Sequence, residues 1–209
     1  MFKSQINECE DVLLSMKLIV NQLNDVIQKL NEDDIKDMLQ KILDAKRIFV
    51  MGAGRSGLVG KAFAMRLMHL GFTVYVVGET TTPAVKEEDV VIAISGSGET
   101  RSISNLGKIV KDIGSTLITV TSKNNSTLGQ LADTSVILPS KTKTDQDHDP
   151  DSGGDLEKNM RGDYTRNLPP LGTSFEITAL VFLDSIIAQL ISLTGASEAE
   201  LKSRHTNVE

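Results

Sequence analysis

The stretch DVVIAISGSGETRSI, residues 89 to 103, passes from an apolar run through a small polar turn into a helix-like segment. The residues between Asp89 and Ser95 are wholly apolar, which is typical of a strand covered on both faces. The turn then gathers small residues, namely Ser95, Gly96, Ser97 and Thr100. Backbone N–H groups and hydroxyls at such a strand end can donate to an anion, so the turn predicts a small anionic ligand.

Four other short β-branched runs share this character, at residues 47–51, 73–77, 116–120 and 134–138. Segments with helical periodicity alternate with them, for example 57–71 and 101–114. This alternation predicts an α/β fold, with a doubly wound parallel five-stranded sheet flanked by helices. Ligands in such sheets bind at the carboxyl ends of the strands, near a topological switch point.

The segments outside these alternating units predict the rest of the domain plan. Residues 1–45 carry apolar side chains at helical spacing and predict an N-terminal helical extension, packed on the core or in an oligomer. Residues 46–209 are expected to form the α/β domain, with an acidic loop insertion near 140–168. Residues 173–195 predict a long, largely buried helix, and residues 197–209 a short helix with a tail.

Composition limits the possible partners of the chain. The 209 residues carry a net charge of −6, which argues against a nucleic-acid surface. A single cysteine, Cys9, excludes an intramolecular disulfide and suits a reducing compartment. No signal-like segment opens the chain, and no uncharged run reaches membrane-spanning length. We therefore expect a soluble, cytoplasmic protein with no membrane partner.

A second glycine-rich turn, GAGRSG at residues 52–57, also joins a strand to a helix. It matches the G-x-G-x-x-G pattern of dinucleotide sites, and Glu79 stands where such folds keep a ribose-binding acid. A shared phosphate explains both turns better than a dinucleotide does. In that interpretation the donors are hydroxyls, from Ser56, Ser95, Ser97 and Thr100, and Gly96 allows close backbone approach.

The two turns together resemble those of the sugar isomerase (SIS) domain, whose members bind phosphosugars. More specifically, GETTTP at 78–83, GTSFE at 172–176 and RHTN at 204–207 resemble the 6-phospho-3-hexuloisomerase family. The resemblance implies interconversion of D-arabino-hex-3-ulose 6-phosphate and fructose 6-phosphate in the ribulose monophosphate pathway of formaldehyde metabolism. It also implies a homo-oligomer, a dimer or tetramer, with active sites near subunit interfaces.

Moving the carbonyl from C3 to C2 requires a base and a group that stabilises the 2,3-enediolate. Glu176 is the candidate base, because burial favours the protonated form of a carboxyl group. It also fits a capping box with Thr173, and Glu79 is the alternative base. His205 is the second catalytic candidate and is expected to reach a neighbouring subunit's pocket, unless it is only a tail histidine.

Gly54, Arg55 and Glu79 are expected to contact the sugar. Neither a metal nor a cofactor is expected, since no cluster with ligand spacing accompanies the turns. Two other functions remain open, a non-catalytic phosphosugar sensor and another SIS-type isomerase. Alternating aspartates at 145–151 hint at calcium, but the loop is better interpreted as a solvated charged segment.

Overall fold

The computed structural model describes residues 9–140 and 173–208. The helices are α1 (Glu10–Ile27), α2 (Glu32–Asp44), α3 (Arg55–His69), α4 (Arg101–Ile113), α5 (Thr127–Leu131), α6 (Thr173–Thr194) and α7 (Glu198–Ser203). The strands are β1 (Ile48–Gly52), β2 (Val74–Val76), β3 (Val90–Ile94), β4 (Thr116–Thr121) and β5 (Thr134–Ile137).

The strands form one parallel sheet in the order β2-β1-β3-β4-β5, which confirms the predicted α/β architecture. Chain order reverses between β1 and β3, so the topological switch point lies there. Gly52 at the end of β1 is in register with Ile94 at the end of β3. The two polar turns therefore leave the same edge of the sheet, on adjacent strands.

Alternate strand residues point to opposite faces of the sheet and build two cores. On one face, Ile48, Val50 and Ile92 pack in a core that includes buried residues of α1, α2, α3 and α6. On the other face, Phe49 and Val91 pack with buried residues of α4 and α5. The sheet is thus covered on both sides, as the unbroken apolar character of its strands predicts.

Helix α6 is long and apolar enough to cross a membrane by length and composition. In this fold it is a core helix instead. Nine of its side chains are buried, and Phe175, Leu183 and Leu190 are among those that pack in the first core. Its continuous hydropathy therefore reflects burial against the sheet and the neighbouring helices.

The helix boundaries agree with the predicted segments, with two differences. Helix α3 begins at Arg55 rather than Gly57, so the first polar turn already contains its opening residues. Helix α5 was not predicted, because five residues with an internal glycine carry little periodicity. From residue 141 onward, the acidic loop lies outside the described residues. The predictions that it binds calcium or is a solvated charged segment therefore also lie outside them.

A buried ion pair ties β1 to β3 at the amino-terminal edge of the sheet. The Arg47 guanidinium donates from Nε to Asp89 Oδ1 at 2.9 Å and from Nη2 to Oδ2 at 2.5 Å, and the Lys86 N–H donates to the same carboxylate. Burial alone would raise the pKa of Asp89, but these donors outweigh it and lower that pKa. The Asp89 carboxylate is therefore charged in the folded protein.

We predict that Asp89→Ala lowers the free energy of unfolding by about 3 kcal/mol, since it removes a buried carboxylate that accepts hydrogen bonds from the Arg47 guanidinium and the Lys86 N–H. Urea unfolding at neutral pH measures this loss. Glu88→Ala, which removes an exposed pair with Lys46, is the control and should change stability far less. The difference in stability between wild type and Asp89→Ala should narrow as the pH falls below the ordinary aspartate pKa of about 3.9, because the unfolded chain takes up a proton there and folded Asp89, with its lowered pKa, does so only in stronger acid. An unchanged gap in acid would contradict the assigned charge.

Candidate active site

The first turn, residues 52–57, is shaped by close backbone contacts. A Cβ on Gly52 would lie 2.9 Å from backbone atoms of Ser56, and one on Gly57 would lie 2.8 Å from the Gly52 carbonyl oxygen. Gly54 has φ 58° and ψ −130° at the start of α3, and the space beside it is open. The outer glycines therefore let β1 and α3 pack closely, while Gly54 turns exposed backbone toward solvent.

The second turn, residues 95–100, is held by its own hydrogen bonds. The Gly98 N–H donates to the Ser95 carbonyl at 3.1 Å, and Gly98 takes φ 65°. A Cβ there would lie 2.0 Å from Ser126 Oγ, so only glycine fits. The Gly96 carbonyl accepts from the backbone and the hydroxyl of Ser122, which fixes the turn on the end of β4.

The hydroxyls of the two turns are only loosely bonded within the protein. Ser56 and Ser95 are buried, and Ser95 Oγ lies 3.4 Å from Thr100 Oγ1. Thr100 is the N-cap residue of α4, yet its side chain makes no capping hydrogen bond. Ser97 Oγ accepts from the Glu99 N–H at 3.2 Å, which leaves its own hydrogen free to donate elsewhere. These groups can therefore donate to a ligand at the switch point.

The start of α6 lies against both turns. The ring of Phe175 packs on Gly96 so closely that a Cβ there would be 3.0 Å from it. The next residue, Glu176, is 8% exposed and brings Oε2 to 3.5 Å from Nε of Arg55, in the first turn. A carboxylate, a guanidinium and several hydroxyls thus meet at one place.

Among the described residues, the buried Oε2 atom of Glu176 has no hydrogen-bond partner. The Arg55 contact at 3.5 Å is within ion-pair range but does not meet hydrogen-bond geometry. Among the described residues, no hydrogen bond joins Glu176 to Thr173, so the described contacts do not show the capping box. A buried carboxylate oxygen without a donor is costly and calls for an explanation, such as a ligand or a proton-transfer role.

Glu79, the alternative base, forms an ion pair with Lys61 on α3, with Nζ and Oε1 2.6 Å apart. Both side chains are about half exposed. Sequence reasoning missed Lys61, because its partner is set by how α3 packs beside β2 and no local pattern encodes that. Glu79 is therefore closely paired with a lysine of the same subunit, whereas Glu176 has only the longer ion-pair contact with Arg55.

Glu99 in the second turn serves the local structure. Its carboxylate accepts from the Thr127 N–H at 2.6 Å and from the Thr127 hydroxyl at 2.7 Å, at the start of α5. These hydrogen bonds lower the pKa of Glu99, and the one from the Thr127 backbone N–H contributes most. Glu99 therefore links the SGSGET turn to the start of α5.

His205 lies far from this cluster within one subunit. Its ring stacks on His69 at the end of α3, whereas Arg55 begins that helix at the two turns. At about 1.5 Å per residue, α3 separates the two places by roughly 21 Å. The structure thus brings Glu176 and Arg55 together with both turns and leaves His205 outside. Within residues 9–140 and 173–208, no three potential metal ligands form a cluster.

Comparisons with known proteins agree with this geometry. The SIS domain family matches residues 41–148. The 3-hexulose-6-phosphate isomerase of Methanocaldococcus jannaschii is 37% identical over 85% of this chain and 85% of its own. The enzyme of the same name from Bacillus subtilis is 35% identical over 91% of this chain and 95% of its own.

A solved structure from Methanococcus jannaschii has a TM-score of 0.74 and 33% identity, covering 96% of this chain and 100% of its own. Its description infers a molecular function of 3-hexulose-6-phosphate isomerase for that protein. Identity at this level over nearly whole chains, together with the paired turns at the switch point, leads to one assignment. The chain belongs to the SIS domain family, among the relatives of the 3-hexulose-6-phosphate isomerases.

Proposed function

We propose that this protein is a cytoplasmic isomerase that interconverts D-arabino-hex-3-ulose 6-phosphate and fructose 6-phosphate. The observation that carries the proposal is the buried, unpartnered carboxylate oxygen of Glu176 beside two turns rich in hydrogen-bond donors. Relatives named for this reaction cover most of the chain. The single cysteine, Cys9, is free, which fits a reducing compartment.

The substrate phosphate binds between the two turns. The N-terminus of α3 and that of α4 both point toward this place, and each favours an anion through its free N–H groups and its dipole. Hydroxyl donors come from Ser56, Ser95, Ser97 and Thr100. Neutral donors suit a protein of net charge −6, because local hydrogen bonds hold the phosphate without a basic surface.

Glu176 acts as the base at the sugar end of the site. It removes the proton from C2 of the hexulose phosphate, and the electrons pass to O3 to give the 2,3-enediolate. The proton on O2 then passes to O3 and a proton returns at C3, so that the carbonyl now lies at C2. Arg55 stands beside the carboxylate and can stabilise the enediolate oxygen by its charge, together with the backbone at Gly54. This route needs no metal ion, since the guanidinium supplies the electrostatic stabilisation.

His205 completes the site from a neighbouring subunit. It is exposed and lies beyond reach of Glu176 in its own chain, as described above. Exposed apolar side chains cover the outer surfaces of three helices that pack side by side, α1, α6 and α3. Those on α1 are Val12, Leu13, Met16, Val20 and Ile27. A surface of this kind is typical of a subunit interface, so we infer a homo-oligomer with sites near the interfaces.

Glu176→Gln should reduce kcat by at least 100-fold, because the amide keeps the shape of the side chain and cannot accept the proton. A coupled assay that follows fructose 6-phosphate formation without added metal measures the loss. Fructose 6-phosphate should still bind to the variant, as calorimetry would show. Glu79→Gln is the matched control and should retain most activity. Full activity in Glu176→Gln with a collapse in Glu79→Gln would reverse the assignment of the base.

Ser97→Ala should raise KM for the sugar phosphate about 10-fold, since a hydrogen bond to a charged group contributes about 1.5 to 3 kcal/mol. The same variant should lose competitive inhibition by inorganic phosphate. Ser185→Ala is the matched control, because that hydroxyl lies on the exposed side of α6 and donates to the Val181 carbonyl. A change in kcat with unaltered KM and phosphate inhibition would argue against a phosphate contact.

Met16→Glu should dissociate the oligomer, because it places a charge in the exposed apolar stripe of α1. Light scattering coupled to size-exclusion chromatography measures the mass of wild type and variant. Lys17→Glu, one position along the helix and polar already, is the control and should leave the mass unchanged. A wild-type protein that runs as a strict monomer would refute the oligomer and the shared site.

A further inference from the structure

We propose that His69 is a positioning residue for the isomerase reaction: it holds the imidazole of His205 in the orientation that a neighbouring subunit's site requires. This inference rests on the proposed function. It begins from a contact that the catalytic scheme above does not use, the stacking of two of the three histidines of the chain.

The two rings lie face to face, with centroids 3.9 Å apart and an angle of 24° between their planes. His69 is the last residue of α3 and is 4% exposed, whereas His205 is exposed. The buried ring therefore provides a fixed platform, and the exposed ring rests on it. A tail histidine without such a platform would sample many orientations.

A second contact anchors the same segment. Nη1 of Arg204 donates to the backbone carbonyl of His69 at 3.1 Å, at the carboxyl end of α3. Gly71, with φ 95°, lies under this guanidinium, and a Cβ there would be 3.2 Å from its carbon. The preceding helix α7 is fixed by a capping box between Ser197 and Glu200. The chain on the N-terminal side of His205 is thus held at two points.

His69 is suited to a packing role rather than a proton-transfer role. Burial lowers its pKa, and the nearby charges of His205 and Arg66 lower it further. Its Nδ1 atom is buried and has no hydrogen-bond partner in the part of the chain that the structure describes. The charged groups around it are Arg66, which lies 3.9 Å from Asp184 on α6, and Arg204. A neutral ring can stack on His205 in either protonation state, whereas a charged one would add to this cationic cluster.

The ring edge of His205 is left available by this arrangement. One face is covered by His69, and among the described residues no hydrogen bond occupies the side-chain nitrogens. A group that transfers protons must be held close to its productive geometry, and a displacement of about 1 Å can cost about 100-fold in rate. The stack provides that restraint without occupying the nitrogens.

The test compares His69→Ala, which removes the platform, with His69→Phe, which restores a flat ring without a titrating group. We expect kcat to fall about 10- to 100-fold in His69→Ala with KM changed less than about twofold, and to recover largely in His69→Phe. Arg204→Ala, a surface substitution, should lower kcat in the same way but by less. It replaces His69→Ala in the test if that variant does not fold. Lys202→Ala, exposed in the same segment, is the matched control.

Proton NMR tests the stack independently of activity. The ring protons of His205, assigned with His205→Ala, should show an upfield ring-current shift that disappears in His69→Ala and persists in His69→Phe. In wild type the ring-current shift should disappear on acidification, because protonated His69 would add a charge to the cationic cluster around it. Since the pKa of His69 is lowered, this requires a pH below the ordinary histidine range. In His69→Phe the shift should persist at that pH.

Each outcome bears on one claim. An inactive wild type that keeps the ring-current shift contradicts the proposed function and leaves the stack standing. An active wild type with equal kcat in His69→Ala, or with equal kcat in His205→Ala, overturns the positioning role. Equal losses in His69→Ala and His69→Phe would show that the stacked ring is not what matters, and would also overturn it.

Discussion

The register between β1 and β3 is the constraint on which the site depends. Because Gly52 lies opposite Ile94, the two turns leave adjacent strands at the same edge, and their helices depart to opposite faces of the sheet. Two helix N-termini then converge on one point, which a single turn cannot achieve. The strand order here is 2-1-3-4-5, which differs from the 3-2-1-4-5-6 order of dinucleotide-binding folds but also has a switch point. The turns after β1 and β3 flank that switch point, so the G-x-G-x-x-G turn lies beside a second turn that is rich in donors.

Helix α6 adds a buried carboxylate, Glu176, beside the two turns that we propose bind phosphate. Phe175 is buried against Gly96, so the packing that stabilises the core also fixes the position of the following residue. Burial of Glu176 with an unpartnered oxygen costs stability, and a fold that needed only a core helix would place an apolar residue there. The two neighbouring carboxylates differ from Glu176: Glu99 and Glu79 have close partners at 2.6 Å, whereas Glu176 Oε2 has only the ion-pair contact with Arg55 at 3.5 Å. The unsatisfied group is therefore the functional candidate.

Much of the architecture could be predicted from sequence because strand periodicity and apolar runs report burial directly. All five strands and the long core helix followed from such patterns. Helix α5 did not, because its stability comes from Ser126 and Glu99 at its start and from burial of Leu128. Pairings between distant segments, such as Lys61 with Glu79 and His69 with His205, depend on tertiary packing that no local pattern encodes. For the same reason the sequence could nominate His205 but could not show that it lies at the opposite end of α3 from Glu176.

The most direct test of the central claim is conversion of 3-hexulose 6-phosphate in D₂O with a metal chelator present, followed by NMR of the product. We predict fructose 6-phosphate that carries deuterium at C3, because the 2,3-enediolate is protonated there by a group in exchange with solvent. A protein that binds fructose 6-phosphate, but neither converts 3-hexulose 6-phosphate nor introduces deuterium into the bound sugar, would contradict the catalytic role of Glu176. That result would identify the protein as a sensor of sugar phosphates.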